Sequence, residues 1–225
     1  MKNTLFVIIF LFVVSSQSQE YNQNNKYLFW TFHTKNTTVN GISIGAFPSN
    51  QFVKTNGIRL EIPGFGFLAP LGNGSPISNV ISVDEKFDRK KYHFNEIVNG
   101  INVSTGTIGS VNFNGITIAA IAQFGELSNG VAIAGVWNAM DKSNGAQLSL
   151  FFNEAIYLSG IQIALSNSAI LMNGLQIGAV NYGQTVRGIQ IGIFNKSKNT
   201  RGIQLGLWNS NEKRKTPILN WNFKT

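Results

Sequence analysis

The chain has 225 residues, a formal net charge of +8 and no cysteine. Without cysteine it holds no disulfide and no lipidated N-terminal cysteine, so its stability must come from packing and backbone hydrogen bonds. The positive balance favours acidic partners or anionic surfaces, and the export predicted below argues against nucleic acid.

The N-terminus reads as a secretory signal peptide over residues 1–18. Lys2 supplies the positive start, Leu5 to Val14 an apolar run, and Ser15, Ser16 and Ser18 the small residues ahead of a cut before Gln19. That run is shorter than the ~20 residues a membrane-spanning helix needs. Residues 19–40 form a polar leader around Tyr27-Leu28-Phe29-Trp30, with room for a first strand.

A single repeat domain is predicted over 41–225. The motif opens at Gly41 (GISIGAF) and returns at Gly57 (GIRLEIP). An irregular excursion follows at about 69–97, read as one long loop outside the scaffold and not as degenerate repeats. From Gly100 the period is plain, with anchor glycines at Gly115, Gly130, Gly145, Gly160, Gly174, Gly188 and Gly202. A period of 14 to 15 residues means one small unit stacked many times.

In the clearest units, counted from the anchor glycine, positions +1, +3 and +5 are aliphatic, as in Ile189, Ile191 and Ile193. Gln recurs at +2 (Gln147, Gln162, Gln176, Gln190, Gln204), and Asn closes the strand (Asn138, Asn153, Asn167, Asn181, Asn195, Asn209). Alternation of period two marks a strand with one buried face. The aliphatic set is expected to be that face, with Gln opposite it. The extra residue of the longer copies is expected as a bulge just before the Asn.

The predicted architecture is all-β, a β-solenoid whose coils stack in parallel, with Asn and Gln ladders and glycine corners of positive φ. The alternative is an up-and-down antiparallel β-barrel, small enough for an outer membrane, with aliphatic side chains facing lipid. Equal linkers and a strand of seven or eight residues favour the solenoid. Trp137, Phe151, Phe152, Phe194 and Trp208 precede the closing Asn and would stack along one corner. Residues 217–225, with Trp221 and Phe223, depart from the repeat and read as a terminal cap.

The units from Gly130 to Asn209 resemble a family of exported "surface repeat" proteins of Gram-negative bacteria, with a tandem G-x-Q-[IL]-G-[LI]-x-N unit. The resemblance is looser over Gly41–Leu71 and the Asn220-Trp221-Asn222-Phe223 ending. Ala164 and Ser149 depart from the Gly the family prefers. The resemblance implies export and a repeat fold, with no activity, catalytic residue or ligand attached to it.

Few residues suggest chemistry. Gly41-Ile42-Ser43-Ile44-Gly45 matches the G-x-S-x-G elbow of α/β-hydrolases, but Ser43 stands in the slot Gln fills elsewhere and has no strand-to-helix context. Gly64-Phe65-Gly66 and Gly72-Asn73-Gly74 lack the Lys of a phosphate loop. His33 and His93, in different irregular segments, do not make a zinc site. Asp84, Glu85, Asp88 and Glu96 alternate with lysines and arginines, the pattern of a solvated loop.

The expectation is therefore a non-enzymatic protein without metal or cofactor. It would be a structural or adhesive element of the cell surface, outer membrane or periplasm. A solenoid-type enzyme acting on envelope polysaccharide is a weaker alternative. The candidate anion site is the basic end: Arg187, Arg201 and Lys215 at one spacing, with Lys196 and Lys198. Acidic envelope polymers or lipopolysaccharide are its expected partners.

Overall fold

The structure is a computed structural model that describes residues 24–49, 51–71 and 94–223. The segment read as a signal peptide (1–18), the excursion acids Asp84, Glu85 and Asp88, Gly72-Asn73-Gly74 and His93 lie outside the described residues. The chain forms a β-solenoid of about eleven turns. Its strands are β1 (Asn24–Thr31), β2 (Thr37–Gly45), β3 (Val53–Glu61), β4 (Glu96–Ser104), β5 (Thr107–Ile108), β6 (Val111–Ala119) and β7 (Ala122–Ala134). The series continues with β8 (Trp137–Ser149), β9 (Phe152–Ile163), β10 (Ser166–Ile177), β11 (Val180–Ile191), β12 (Phe194–Ser210) and β13 (Lys215–Asn222). A short 3₁₀ helix occupies Phe65–Leu71.

Every strand pairs with the next in parallel along β1-β2-β3-β4-β6 to β12, with β5 added beside β7. The same residues of successive units lie opposite one another: Gly160 on Gly174 on Gly188 on Gly202, and Gln162 on Gln176 on Gln190 on Gln204. Parallel pairing in one register overturns the antiparallel barrel, and with it the small outer-membrane barrel. Successive strands of such a barrel run in opposite directions, so like residues could not stack. Among the described strands only β13 turns back, pairing antiparallel with β12 and covering the last coil. Gly57 lies directly opposite Gly100, so the whole interval between them amounts to one coil. The excursion is thus an insertion in one turn of the scaffold.

Each coil has three limbs. The first runs from the anchor glycine to position +3 and ends at a tight turn, such as Gly192-Ile193. The second carries the closing Asn. Between second and third limbs the ladder skips Asp141, Ile156, Ile170, Gln184 and Lys198, which form a corner. The anchor glycine makes the remaining corner. Gly174 has φ +148°, and a Cβ there would lie 1.9 Å from the Gly160 carbonyl oxygen, so only glycine serves. The extra residue of the 15-residue coils falls in the tight turn, as Ser149-Leu150-Phe151 against Ala164-Leu165, and not as a bulge within a strand.

So small a coil has a narrow interior, and its contents reverse one expectation. Gln190 is 0% exposed, whereas Ile189 and Ile191 beside it are 38% and 39% exposed. The +2 side chains point inward and the +1 and +3 aliphatics outward, along the whole stack. The third limb contributes the apolar filling: Leu158, Met172 and Val186 pack with Ala155 and Ala169. Towards the N-terminal end Val98, Val111, Phe113, Ala132 and Met140 do the same. Polar side chains occupy the rest because stacking satisfies them. Gln204 Nε2 donates to Gln190 Oε1, and Gln190 Nε2 to Gln176 Oε1, both at 2.8 Å. Asn167 Nδ2 donates to Asn181 Oδ1 at 3.0 Å and to the Ile177 carbonyl at 2.8 Å. An amide paired on both sides loses little on leaving water, so it can take the interior.

Candidate functional site

The basic C-terminal coils hold the candidate site. Arg187 and Arg201 both precede an anchor glycine, and β11 and β12 place them opposite each other. Strand spacing brings their backbones to about 4.8 Å, so two guanidinium-bearing side chains leave one edge of the rod side by side. Lys215 does not continue that row. Sequence spacing would place it there only if a further parallel coil followed; β13 instead runs antiparallel and sets Lys215 opposite Ser210. Lys213 takes its place. Its Nζ donates to Asn222 Oδ1 at 3.0 Å, and it lines a groove of about 430 Å³ with Arg187, Arg201, Thr185, Asn199 and Glu212. The Glu212 carboxylate accepts a hydrogen bond from Asn222 Nδ2, so the groove carries one acid among three cations. Lys196 and Lys198 are exposed on the second limb and its corner, outside the groove lining.

The groove continues up the rod. A second stretch of about 320 Å³ shares Thr185 and Arg187 and adds Asn173, Ser159, Asn144, Leu171, Tyr157 and Lys142. Two outward columns of the third limb form its walls, and the inward Leu158 and Met172 its floor. Cations, amides, hydroxyls and a tyrosine in line suit a linear anionic chain carrying hydroxyl groups.

One site residue escaped the sequence reading. Glu96 is 2% exposed, not solvated, and its Oε2 accepts from Arg59 Nε at 2.7 Å. The Ser49 amide donates to its other oxygen. Arg59 Nη1 donates to Glu61 Oε2 and Asn102 Oδ1 at 2.8 and 2.9 Å, and its guanidinium lies 4.2 Å over the Phe32 ring. Thr107 Oγ1 also donates to Glu61. Burial raises the Glu96 pKa above its usual value, against the lowering pull of Arg59. The signal was present: Glu96 stands opposite Val53 and Val111, both buried, and Arg59 occupies the inward +2 slot.

Ser43 is buried and shares a hydrogen bond of 2.8 Å with Thr55 Oγ1 inside a parallel coil, without the strand-to-helix turn of a hydrolase elbow. The Phe32 and His33 rings pack against each other with centroids 4.8 Å apart. The aromatic corner is partly realised. Trp137 meets Phe152 at 5.6 Å between centroids, but Ser166 and Val180 separate Phe152 from Phe194 in the same column. A further ladder runs outside: Asn144, Asn129, Asn114, Asn99, Asn56 and Asn40 each hydrogen-bond the next at 2.7–2.8 Å. The recurring Asn-Gly pair announces it. Comparison of the chain with known protein families, curated proteins and solved structures finds no match.

Proposed function

We propose that the chain is an exported, non-catalytic rod of the bacterial envelope or cell surface, which holds acidic envelope polymers or lipopolysaccharide along its basic C-terminal groove. The observation that carries this reading is the register of Arg187 on Arg201, with Lys213 lining the same groove. Like charges on side chains whose backbones lie about 4.8 Å apart repel, and an anionic chain lying across them relieves that repulsion. The hydroxyl and amide groups farther up the groove suit a glycan backbone. The carboxylates of Glu61 and Glu96 are bound to one arginine in the interior, which supports a packing role over a hydrolytic one.

The test is retention on immobilised lipopolysaccharide and on polygalacturonate, a linear carboxylated glycan, across a salt series. Binding should weaken steadily with salt and be lost in Arg187→Gln/Arg201→Gln, while Lys196→Gln/Lys198→Gln binds as wild type. Salt-independent retention, or equal loss in both double variants, would refute the groove assignment.

A further inference from the structure

The outward aliphatic columns have no role in the interior and none in the basic groove. Positions +1, +3 and +5 carry no charged residue in any of the ten coils from Gly41 to Gly202, and Thr105 is their only polar side chain. No +1 or +3 side chain is buried. Strand pairing extends these columns to both ends. Phe29 stands opposite Ile42 at the start, and Trp221 opposite Ile203 at the close. The result is an apolar strip roughly 50 Å long and about 12–15 Å wide, from the strand spacing and rise. Its flat projection, on the order of 600–750 Å², approaches the ~800 Å² each partner gives a stable interface, before surface relief is counted. It also exceeds what a solitary soluble chain ordinarily leaves bare.

We infer that this strip is the interface of a homodimer, in which two solenoids pack first limb against first limb as a two-sheet sandwich. A second copy matches the strip in length and coil spacing. Towards the C-terminal end, Gly178, Gly192 and Gly206 floor an apolar trough between the ridge of Ile177, Ile191 and Leu205 and the ridge of Ile193 and Leu207. An aliphatic ridge of the facing copy has the same repeat as this trough and seats in it, with the sheets about 10 Å apart. The β-branched side chains that dominate the strip keep few rotamers, so little entropy is lost on packing. The edge of the strip argues against a lipid bilayer as the occupant. In six of the ten coils it is bordered by the Asn40–Asn144 ladder, whose neutral amides bond one another, and the Arg side chains that would face anionic headgroups enter that column only at its C-terminal end, as Arg187 and Arg201.

The experiment is sedimentation velocity on the purified chain at about 10 μM, set against ordinary interface affinities. Wild type should sediment with the mass of two chains. Ile163→Lys/Ile191→Lys, two outward positions, should sediment as one chain with an unchanged far-UV spectrum, a weakening of at least ~100-fold. Thr185→Lys, on the third limb, should remain paired. Should the lysine variant lose its β spectrum, Ile163→Thr/Ile191→Thr keeps the β-branched shape and must still weaken pairing. The inference is overturned by a wild type of one-chain mass, by a mass above two chains, or by a folded lysine or threonine variant as tightly paired as wild type. Wild type of one-chain mass that floats with phosphatidylcholine vesicles, and loses that binding in the lysine variant, assigns the strip to lipid instead.

Discussion

Gln190 and Ile191 are neighbours in one strand, yet the amide is sealed in the interior and the aliphatic side chain faces out. The inversion follows from the size of the coil. With so few residues in each turn, the interior of a coil takes the closing Asn, the small residue after it, one third-limb side chain and one Gln. An interior that narrow is better filled by groups that bond along the axis than by two branched side chains per turn.

The first prediction follows directly. Gln190→Leu keeps the volume but leaves Gln176 Oε1 without a donor and takes from Gln204 Nε2 the shortest of its three hydrogen bonds, the others being to Ser197 and Ser210, at a cost of about 2–4 kcal/mol. Ile191→Asp places its charge in solvent and should cost the single chain no more than about 1 kcal/mol. Urea melts of the two variants, at concentrations where chains do not pair, would show the order. A larger loss in Ile191→Asp would return the aliphatic columns to the core.

The anchor corner is the least tolerant backbone position. Gly174→Ala combines a left-handed φ with a Cβ driven into the Gly160 carbonyl, and should cost about 3 kcal/mol or more. Ser159→Ala, exposed at the same edge one coil away, should change stability by less than about 0.5 kcal/mol. Thermal melts would separate these outcomes by many degrees.

The Arg59–Glu61–Glu96 cluster should leave a pH signature. The folded chain holds the Glu96 proton more tightly than the unfolded chain, whose carboxyl titrates near 4.5. What Glu96 contributes is therefore fully present below that value and declines as pH rises from it through the raised folded pKa. Relative to Glu96→Gln, wild type should lose stability across that interval and then level off. The neighbours Arg59 and Glu61 are common to both proteins, so the difference isolates Glu96. A wild-type advantage that grows with pH would contradict the assigned shift.

The buried closing Asn should matter more than the half-buried Asn of the outer ladder. Asn167→Ala removes the donor to Asn181 and to two carbonyls, and takes from Asn153 Nδ2 one of its three acceptors, for about 2–4 kcal/mol. Asn129→Ala breaks the outer ladder, where water replaces the lost partners, and should cost under about 1 kcal/mol. Chemical denaturation of both would test the ranking.

Much of this fold was legible in the sequence. The period announces stacking, the anchor glycines announce the positive φ found from Gly41 to Gly188, and repeated amides announce ladders. The irregular excursion of about 69–97 shows in the composition, but its end does not: Glu96 and Ile97 already belong to β4, whose Gly100 pairs with Gly57. The parity of the strand was not legible: period two shows that two faces differ, and the usual preference for apolar interiors selects the wrong one when the alternative is a self-satisfied amide stack. Glu96 reads as a loop acid from its charged neighbours, although its register partners are valines. Lys215 fails for a topological reason. Its spacing continues that of Arg187 and Arg201, but the chain reverses after Ser210, and Lys213 reaches the groove instead.

The central claim is that amide ladders, and not aliphatic side chains, fill the first-limb interior, and hydrogen exchange at the Gln190 side chain tests it most directly. In a uniformly labelled sample, the Nε2 protons of Gln190 should persist in deuterated buffer on the timescale of the core backbone amides. Exchange of those protons as fast as in a free glutamine, in a chain whose backbone amides remain protected, would contradict it.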